Sequence, residues 1–185
     1  MKKLIIFTFL LFEFIHVKAQ FNNHFYISLN YPSSVFKFAD GTSITGKAKV
    51  SPYFGFAFDA PINTKFKWAS GLFMMIRNQD RYNLGELDLK QQFLSIPFFI
   101  KYLPFSNIEF HNGITANYLI YSSVNFHGEF FRDISMSYFS RVLFKYKKYK
   151  PFVEASIDLI APYYVSKTNK LYYRSIGLGY SFDLN

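Results

Sequence analysis

Residues Leu94 to Tyr121 read LSIPFFIKYLPFSNIEFHNGITANYLIY. The stretch alternates. Leu94, Ile96, Phe98, Ile100 and Tyr102 fall on one parity, with Ser95, Pro97, Phe99 and Lys101 on the other. Past a turn spanning Leu103 to Asn107, Ile108, Phe110, Ile114, Tyr118 and Ile120 share one face. Glu109, His111, Gly113, Thr115 and Asn117 share the opposite face. A period of two marks β-strands, here a hairpin apolar on one side and polar or charged on the other. Each arm is long enough to cross a bilayer as a tilted strand, for which about 9–11 residues are needed.

The same rhythm runs along the rest of the chain. Strands are expected over His24–Tyr31, Lys47–Asp59, Lys65–Arg77, Phe131–Tyr146, Pro151–Ala161 and Lys170–Leu184, which with the hairpin makes eight. Phe54, Phe56 and Phe58 alternate with Tyr53, Gly55 and Ala57; Val153, Ala155, Ile157 and Leu159 alternate with Glu154, Ser156 and Asp158. Pro32–Gly46, Asn78–Asp88, Ser122–Phe130 and Pro162–Asn169 read as long connections, with Asp40-Gly41 a turn signal in the first. The connections between them are short. Long loops at one end and tight turns at the other are the habit of outer-membrane barrels, whose even strand number lets first and last strands meet. Closure matters because an open sheet edge is not tolerated in lipid. The expected fold is all-β, an eight-stranded antiparallel up-and-down transmembrane β-barrel.

Composition favours lipid outside over water outside. Half of the 185 residues are hydrophobic, with 25 Phe and 15 Tyr. A soluble barrel of lipocalin type would turn its apolar face inward. The bulky aromatics here are too voluminous for a narrow lumen, and the polar parity, with Gly, Ser, Asn and charges of both signs, suits a filled one. Tyr31, Tyr102, Tyr118, Tyr138, Tyr172 and Tyr180 are expected in aromatic girdles. Met1-Lys2-Lys3, an apolar run from Leu4 to Ile15 and Val17-Lys18-Ala19 read as a secretory signal peptide over residues 1–19, leaving a barrel domain over 20–185. The formal charge of +9 suits lipid phosphates or acidic glycans. No basic run is denser than Lys145 to Lys150, so no nucleic acid is expected as partner. Outer-membrane lipid, and other envelope proteins, are.

Several stretches resemble the PorT-like outer-membrane β-barrel family of Bacteroidota. Phe93 to Tyr102 (FLSIPFFIKY) is similar to that family's LEIPLLLKY strand, with Ser95 in place of Glu. Trp68 to Phe73, Ile108 to Gly113 and Ile176 to Phe182 resemble three further strands. The chain ends Phe182-Asp183-Leu184-Asn185, without a terminal aromatic. The resemblance implies a small outer-membrane barrel. For PorT itself it also implies a tie to protein secretion and gliding, hence the alternative of an accessory to transport or secretion.

The inward parity gathers Arg77, Lys101, Glu109, His111, Asp133, Arg141, Lys145, Glu154 and Asp158. Buried charges must be paired or each costs several kcal/mol, so a nearly balanced set reads as a salt-bridged plug. Across the Leu103–Asn107 turn, Lys101 is expected to pair with Glu109. Arg141 is expected opposite Ser156 or Glu154, with Asp158 within reach in the first register. A lipid-modifying enzyme is the remaining alternative. It would need Ser, His and a carboxylate in contact. His24, His111 and His127 are the candidates, the last near Glu129, Ser122 and Ser123. No cofactor or metal site is indicated.

Overall fold

The computed structural model describes residues 21–37, 41–46, 48–79, 89–123, 134–146, 149–160, 163–164 and 170–184. Eight long strands are found among them: β1 Asn22–Lys37, β2 Ser51–Pro61, β3 Phe66–Gln79, β4 Leu89–Phe105, β5 Ile108–Ser122, β6 Ile134–Phe144, β7 Tyr149–Ile160 and β8 Lys170–Asp183. Each pairs antiparallel with its neighbour in sequence. The last strand returns to the first, from His24 opposite Asp183 to Lys37 opposite Lys170, and the sheet closes. The expected eight-stranded barrel is what forms. The leader read at residues 1–19 lies outside the described residues.

Alternation fixes which face is which. On β4, Ser95, Phe99 and Lys101 are buried while Ile96 and Phe98 are more than half exposed. The other strands follow the same rule: Ile27, Leu29, Phe56, Leu72, Ile114, Val153, Leu159, Ile176 and Leu178 all face outward. An apolar surface this continuous is unstable in water but is what lipid requires. Rings bound the belt. At the short-turn end Phe66 stacks on Tyr102 with centroids 4.9 Å apart, and Phe58 meets Trp68 edge-on at 5.7 Å. Tyr31, Tyr118 and Tyr121 stand exposed toward the other end.

Inside, large and small residues oppose one another. Gly55 faces Phe73 across β2–β3, Gly113 faces Phe99 on one side and Phe139 on the other. A Cβ at Gly55 would run into the backbone and ring of Phe73, and one at Gly113 into Phe99. The glycines are therefore space for the rings. Tyr26, Tyr53, Phe73, Phe99, Phe139 and Phe152 pack as one buried cluster across the lumen.

Prolines interrupt nothing, because each sits where a ladder lapses. Pro32 pairs with Ser175 on β8, but on its other side, among the described residues, β1 has no register partner between Asn30, opposite Ser51 on β2, and Ser34, opposite Gly46 on the short strand Ser43–Gly46. Pro97 pairs with Thr115, while the β3–β4 ladder is empty between Ser70–Phe98 and Phe73–Ser95. There Ser70 Oγ donates to the Pro97 carbonyl at 2.8 Å. A residue without an N–H is harmless only at such gaps.

Strand ends shift by a few residues throughout, and two connections differ more from the sequence reading. The first connection, expected to start at Pro32, is mostly strand. β1 runs on to Lys37, and Ser43–Gly46 folds back on it. Ser, Thr, Gly and Pro gave that segment a loop's composition, but pairing on both sides overrides propensity. The expected five-residue turn at Leu103–Asn107 is shorter. β4 continues to Phe105, a bulge follows Tyr102, and Ser106-Asn107 alone make the turn. The connections 80–88 and 124–133 lie outside the described residues.

Candidate functional site

The polar content of the lumen falls into three levels. Nearest the short turns, Asp59 at the end of β2 gathers four donors. Asn22 Nδ2 lies 3.1 Å away, His24 Nε2 2.6 Å, Lys67 Nζ 3.2 Å and Lys101 Nζ 2.5 Å. His24 spans two carboxylates, its Nδ1 2.7 Å from Asp183 Oδ1. Lys150 links Asp183 at 2.8 Å to Glu109 at 3.7 Å, and Glu109 also meets Lys145 at 2.9 Å and His111 at 3.0 Å. The result is an unbroken chain of ion pairs and hydrogen bonds around the mouth. It joins β1, β2, β3, β4, β5, β7 and β8, including the seam where the barrel closes.

One level up, Arg141 on β6 donates through Nε to Glu154 on β7 at 2.8 Å, and a second guanidinium nitrogen donates to the same oxygen. The guanidinium lies 4.4 Å from the Phe152 ring centroid and 4.7 Å from that of Tyr26. A delocalised cation between rings is better placed there than an ammonium. Higher still, Arg77 grips Asp158 with two bonds of 2.9 and 3.2 Å, across the barrel from β3 to β7. Tyr173 stacks on that guanidinium at 4.4 Å and its backbone N–H donates to Asp158 Oδ2 at 3.1 Å. A relay of Ser95, Asn117 and Ser137 ends on the same carboxylate, each step at 2.7–3.0 Å.

Of the residues singled out in the sequence, Arg77, Lys101, Glu109, His111, Arg141, Glu154 and Asp158 are buried inside the barrel. Lys145 is a quarter exposed at the mouth. Asp133, like His127 and Glu129, lies outside the described residues. The pairings need correction. Lys101 stands opposite His111, not Glu109, because the shorter turn and the bulge shift the register. Its carboxylate is Asp59, two strands away, reached over Ala69, which stands opposite Asp59. Arg141 takes the Glu154 register, and Asp158 serves Arg77 rather than Arg141. The network also takes in Asp59, Lys150 and Asp183, which the sequence reading does not single out, and His24, which it names only as a catalytic candidate. Parity marked them all: Asp59 shares a face with Tyr53 and Ala57, His24 with Tyr26, Lys150 with Glu154, and Asp183 with Ser181.

Chemically the arrangement is a network of paired charges. Among the described residues each carboxylate of the lumen is engaged by a cation or imidazole, His24 is held between two carboxylates, and no cluster suits a metal ion.

No family model matches the chain, and no curated protein does. Solved structures do. The chain is similar to the crystal structure of Neisserial surface protein A (NspA), at 13% identity over 86% of this chain and 97% of that one, with a TM-score of 0.58. A weaker likeness is to Ail, the attachment invasion locus protein of Yersinia pestis, at 13% identity, 86% and 99% coverage and a TM-score of 0.46. A designed transmembrane β-barrel follows at 13% identity, 88% and 95% coverage and 0.44. The likeness to NspA is one of fold. That fold, with an apolar belt closed on itself around a charged interior, is a small outer-membrane β-barrel, and the cell outer membrane is its place.

Proposed function

We propose that the chain is a structural and interaction platform: a filled barrel anchored in the outer membrane whose long connections engage a partner or ligand. The observation that carries this reading is the lumen. Three levels of ion pairs interleaved with Tyr26, Phe73, Phe99, Phe139 and Phe152 occupy it, so transport through the barrel is not what the architecture serves. A rigid, plugged cylinder presents loops, and binding residues concentrate on loops held by a rigid scaffold. The leader at residues 1–19 and membership of the PorT-like family belong to the same reading, supported by the motifs at Phe93–Tyr102 and Ile176–Phe182.

The test is capture from membranes with the full-length protein and with a version whose segments 80–88 and 124–133 are replaced by tight turns. The intact protein should retain specific envelope components and the trimmed one should lose them, while both keep the heat-modifiable gel migration of a folded barrel. Equal capture by both would overturn the platform reading. If the captured components belonged to a secretion or transport assembly, the accessory role would stand instead of a free-standing platform.

A further inference from the structure

The geometry points to an interface with a second copy of this chain on the outer wall of β5 and β6, at Asn112, Tyr138 and Ser140. This surface goes beyond the platform reading, because it lies in the lipid-facing belt and not on the loops.

Asn112 is out of place in that belt. It is exposed, in the outward row of β5 between Phe110 and Ile114, while its neighbour His111 is buried. One outward position below it, the Phe110 ring lies 6.4 Å from that of Tyr102, in the girdle at the short-turn end. Strands rise about 3.3 Å per residue and tilt by about 35–45°, so Asn112 stands roughly 5 Å inside that girdle and roughly 15 Å short of Tyr118 toward the far edge. Its register neighbours are Ile100 on β4 and Ser140 on β6. The Tyr138 hydroxyl donates to Asn112 Oδ1 at 3.1 Å. The two N–H groups of the amide have no partner among the described residues. Hydrocarbon offers no acceptor, and a polar group left unpaired in it is costly.

Self-complementarity selects the occupant. The Tyr138 hydroxyl gives its proton to Asn112 and keeps its oxygen lone pairs as acceptors. The same bond holds that oxygen at the height of the amide. A two-fold axis along the membrane normal, over the β5–β6 pair, then sets the amide of each copy against the phenol oxygen of the other, two reciprocal bonds from one patch. An unrelated wall would need an acceptor at the same depth; a second copy carries one by symmetry. The two walls can come close, since Ser140 lies opposite Asn112 and Ala155 opposite Ser140. Small side chains at a contact within lipid let backbones approach, and polar side chains then bond across it.

The chain has no cysteine, so single-cysteine variants report contacts cleanly. Full-length protein is reconstituted in phosphatidylcholine vesicles and oxidised. Asn112→Cys should link into dimers, while Phe56→Cys, exposed on β2 across the barrel, should remain monomeric. Energy transfer between dye-labelled copies at graded protein-to-lipid ratios measures association. A hydrogen bond between spans in a bilayer strengthens association about threefold, so Asn112→Leu, which removes both reciprocal bonds, should weaken it roughly tenfold. Ala155→Trp, which puts bulk on the same wall, should abolish energy transfer. Gel migration before and after heating checks that each variant folds. The proposal is overturned if Asn112→Cys links no faster than Phe56→Cys, if folded Asn112→Leu associates as tightly as wild type, or if Asn112→Cys in native membranes couples to a different protein and not to itself. The last result would make the patch a site for that protein.

Discussion

Asp59 is the residue on which the short-turn mouth depends. It is 1% exposed and accepts from Asn22, His24, Lys67 and Lys101, the last itself 1% exposed. Removing one side of a buried pair leaves the other charge uncompensated, at about 3–5 kcal/mol. Asp59→Ala should therefore lower stability by at least about 3 kcal/mol in urea unfolding of the vesicle-inserted barrel. Glu109→Ala should lose less, because Lys145 is a quarter exposed and Lys150 keeps Asp183. A larger loss for Glu109→Ala would shift the weight of the mouth to the other side of the barrel. Arg141 and Glu154 allow a cleaner cycle, since each has the other as its charge partner. Arg141→Met alone should cost about 3–5 kcal/mol, and Arg141→Met with Glu154→Leu much less. Additive losses would mean that the pair contributes no coupling. At this scale the sequence was only half legible. Arg141–Glu154 is a contact between adjacent strands, and counting residues from the turn reaches it. Lys101–Asp59 skips the strand between β4 and β2, and Arg77–Asp158 crosses the lumen. Which residues share a level across a barrel depends on the stagger accumulated around the whole sheet, which no single hairpin reveals.

For a strand, the decisive quantity is parity. On β5, Ile114 is 41% exposed to the outside, and Thr115 beside it is 7% exposed toward the lumen. Ile114→Lys would place an ammonium in the apolar belt, at about 2–4 kcal/mol near the bilayer midplane. Thr115→Leu adds volume to a packed interior opposite Pro97 and Ser137, at about 1–3 kcal/mol. The two should be separable by solvent as well as by size. In lipid Ile114→Lys is the worse, but in a micelle of short-chain detergent, where water is near, its penalty should shrink while that of Thr115→Leu persists. Unfolding midpoints in the two media check this, and an Ile114→Lys variant as stable as wild type in vesicles would invert the assignment of faces. Parity was legible because it is local: a period of two survives a bulge with only a one-residue slip. Element ends were not. Pro32, Ser33 and Ser34 have turn composition yet lie within β1, since β8 supplies Ser175, Arg174 and Tyr173 as partners. Residue type records preference, and the neighbouring strand decides.

The whole molecule is a cylinder whose contents hold its shape. Closure, an apolar outside and a polar inside could be read from the sequence, because each follows from alternation repeated in eight strands of adequate length. That the contents would form levels, with Lys101–Asp59 and Arg77–Asp158 bridging strands that are not neighbours, could not. The levels carry the last prediction. Eight strands leave an interior just wide enough for side chains. The mouth is spanned by the Asp59–His24–Asp183–Lys150–Glu109 chain. Above it Tyr26 packs against Phe73 and Phe152, and Phe99 against Phe139, with centroids 5.5–6.1 Å apart. Above that Arg77, Asp158 and Tyr173 close the section again. An ion crossing the barrel would have to displace all three levels, giving up charge-assisted hydrogen bonds at each, the Arg141–Glu154 pair lying among the rings of the middle one. In planar bilayers the protein should therefore show no large, long-lived conductance steps. Phe73→Ala should be equally silent, because it opens one level and leaves the ion-paired levels above and below intact. Discrete, stable openings in wild type would mean that the side chains line a channel instead of filling it. Openings in Phe73→Ala alone would mean that the ring cluster is the sole barrier and the ion pairs are not.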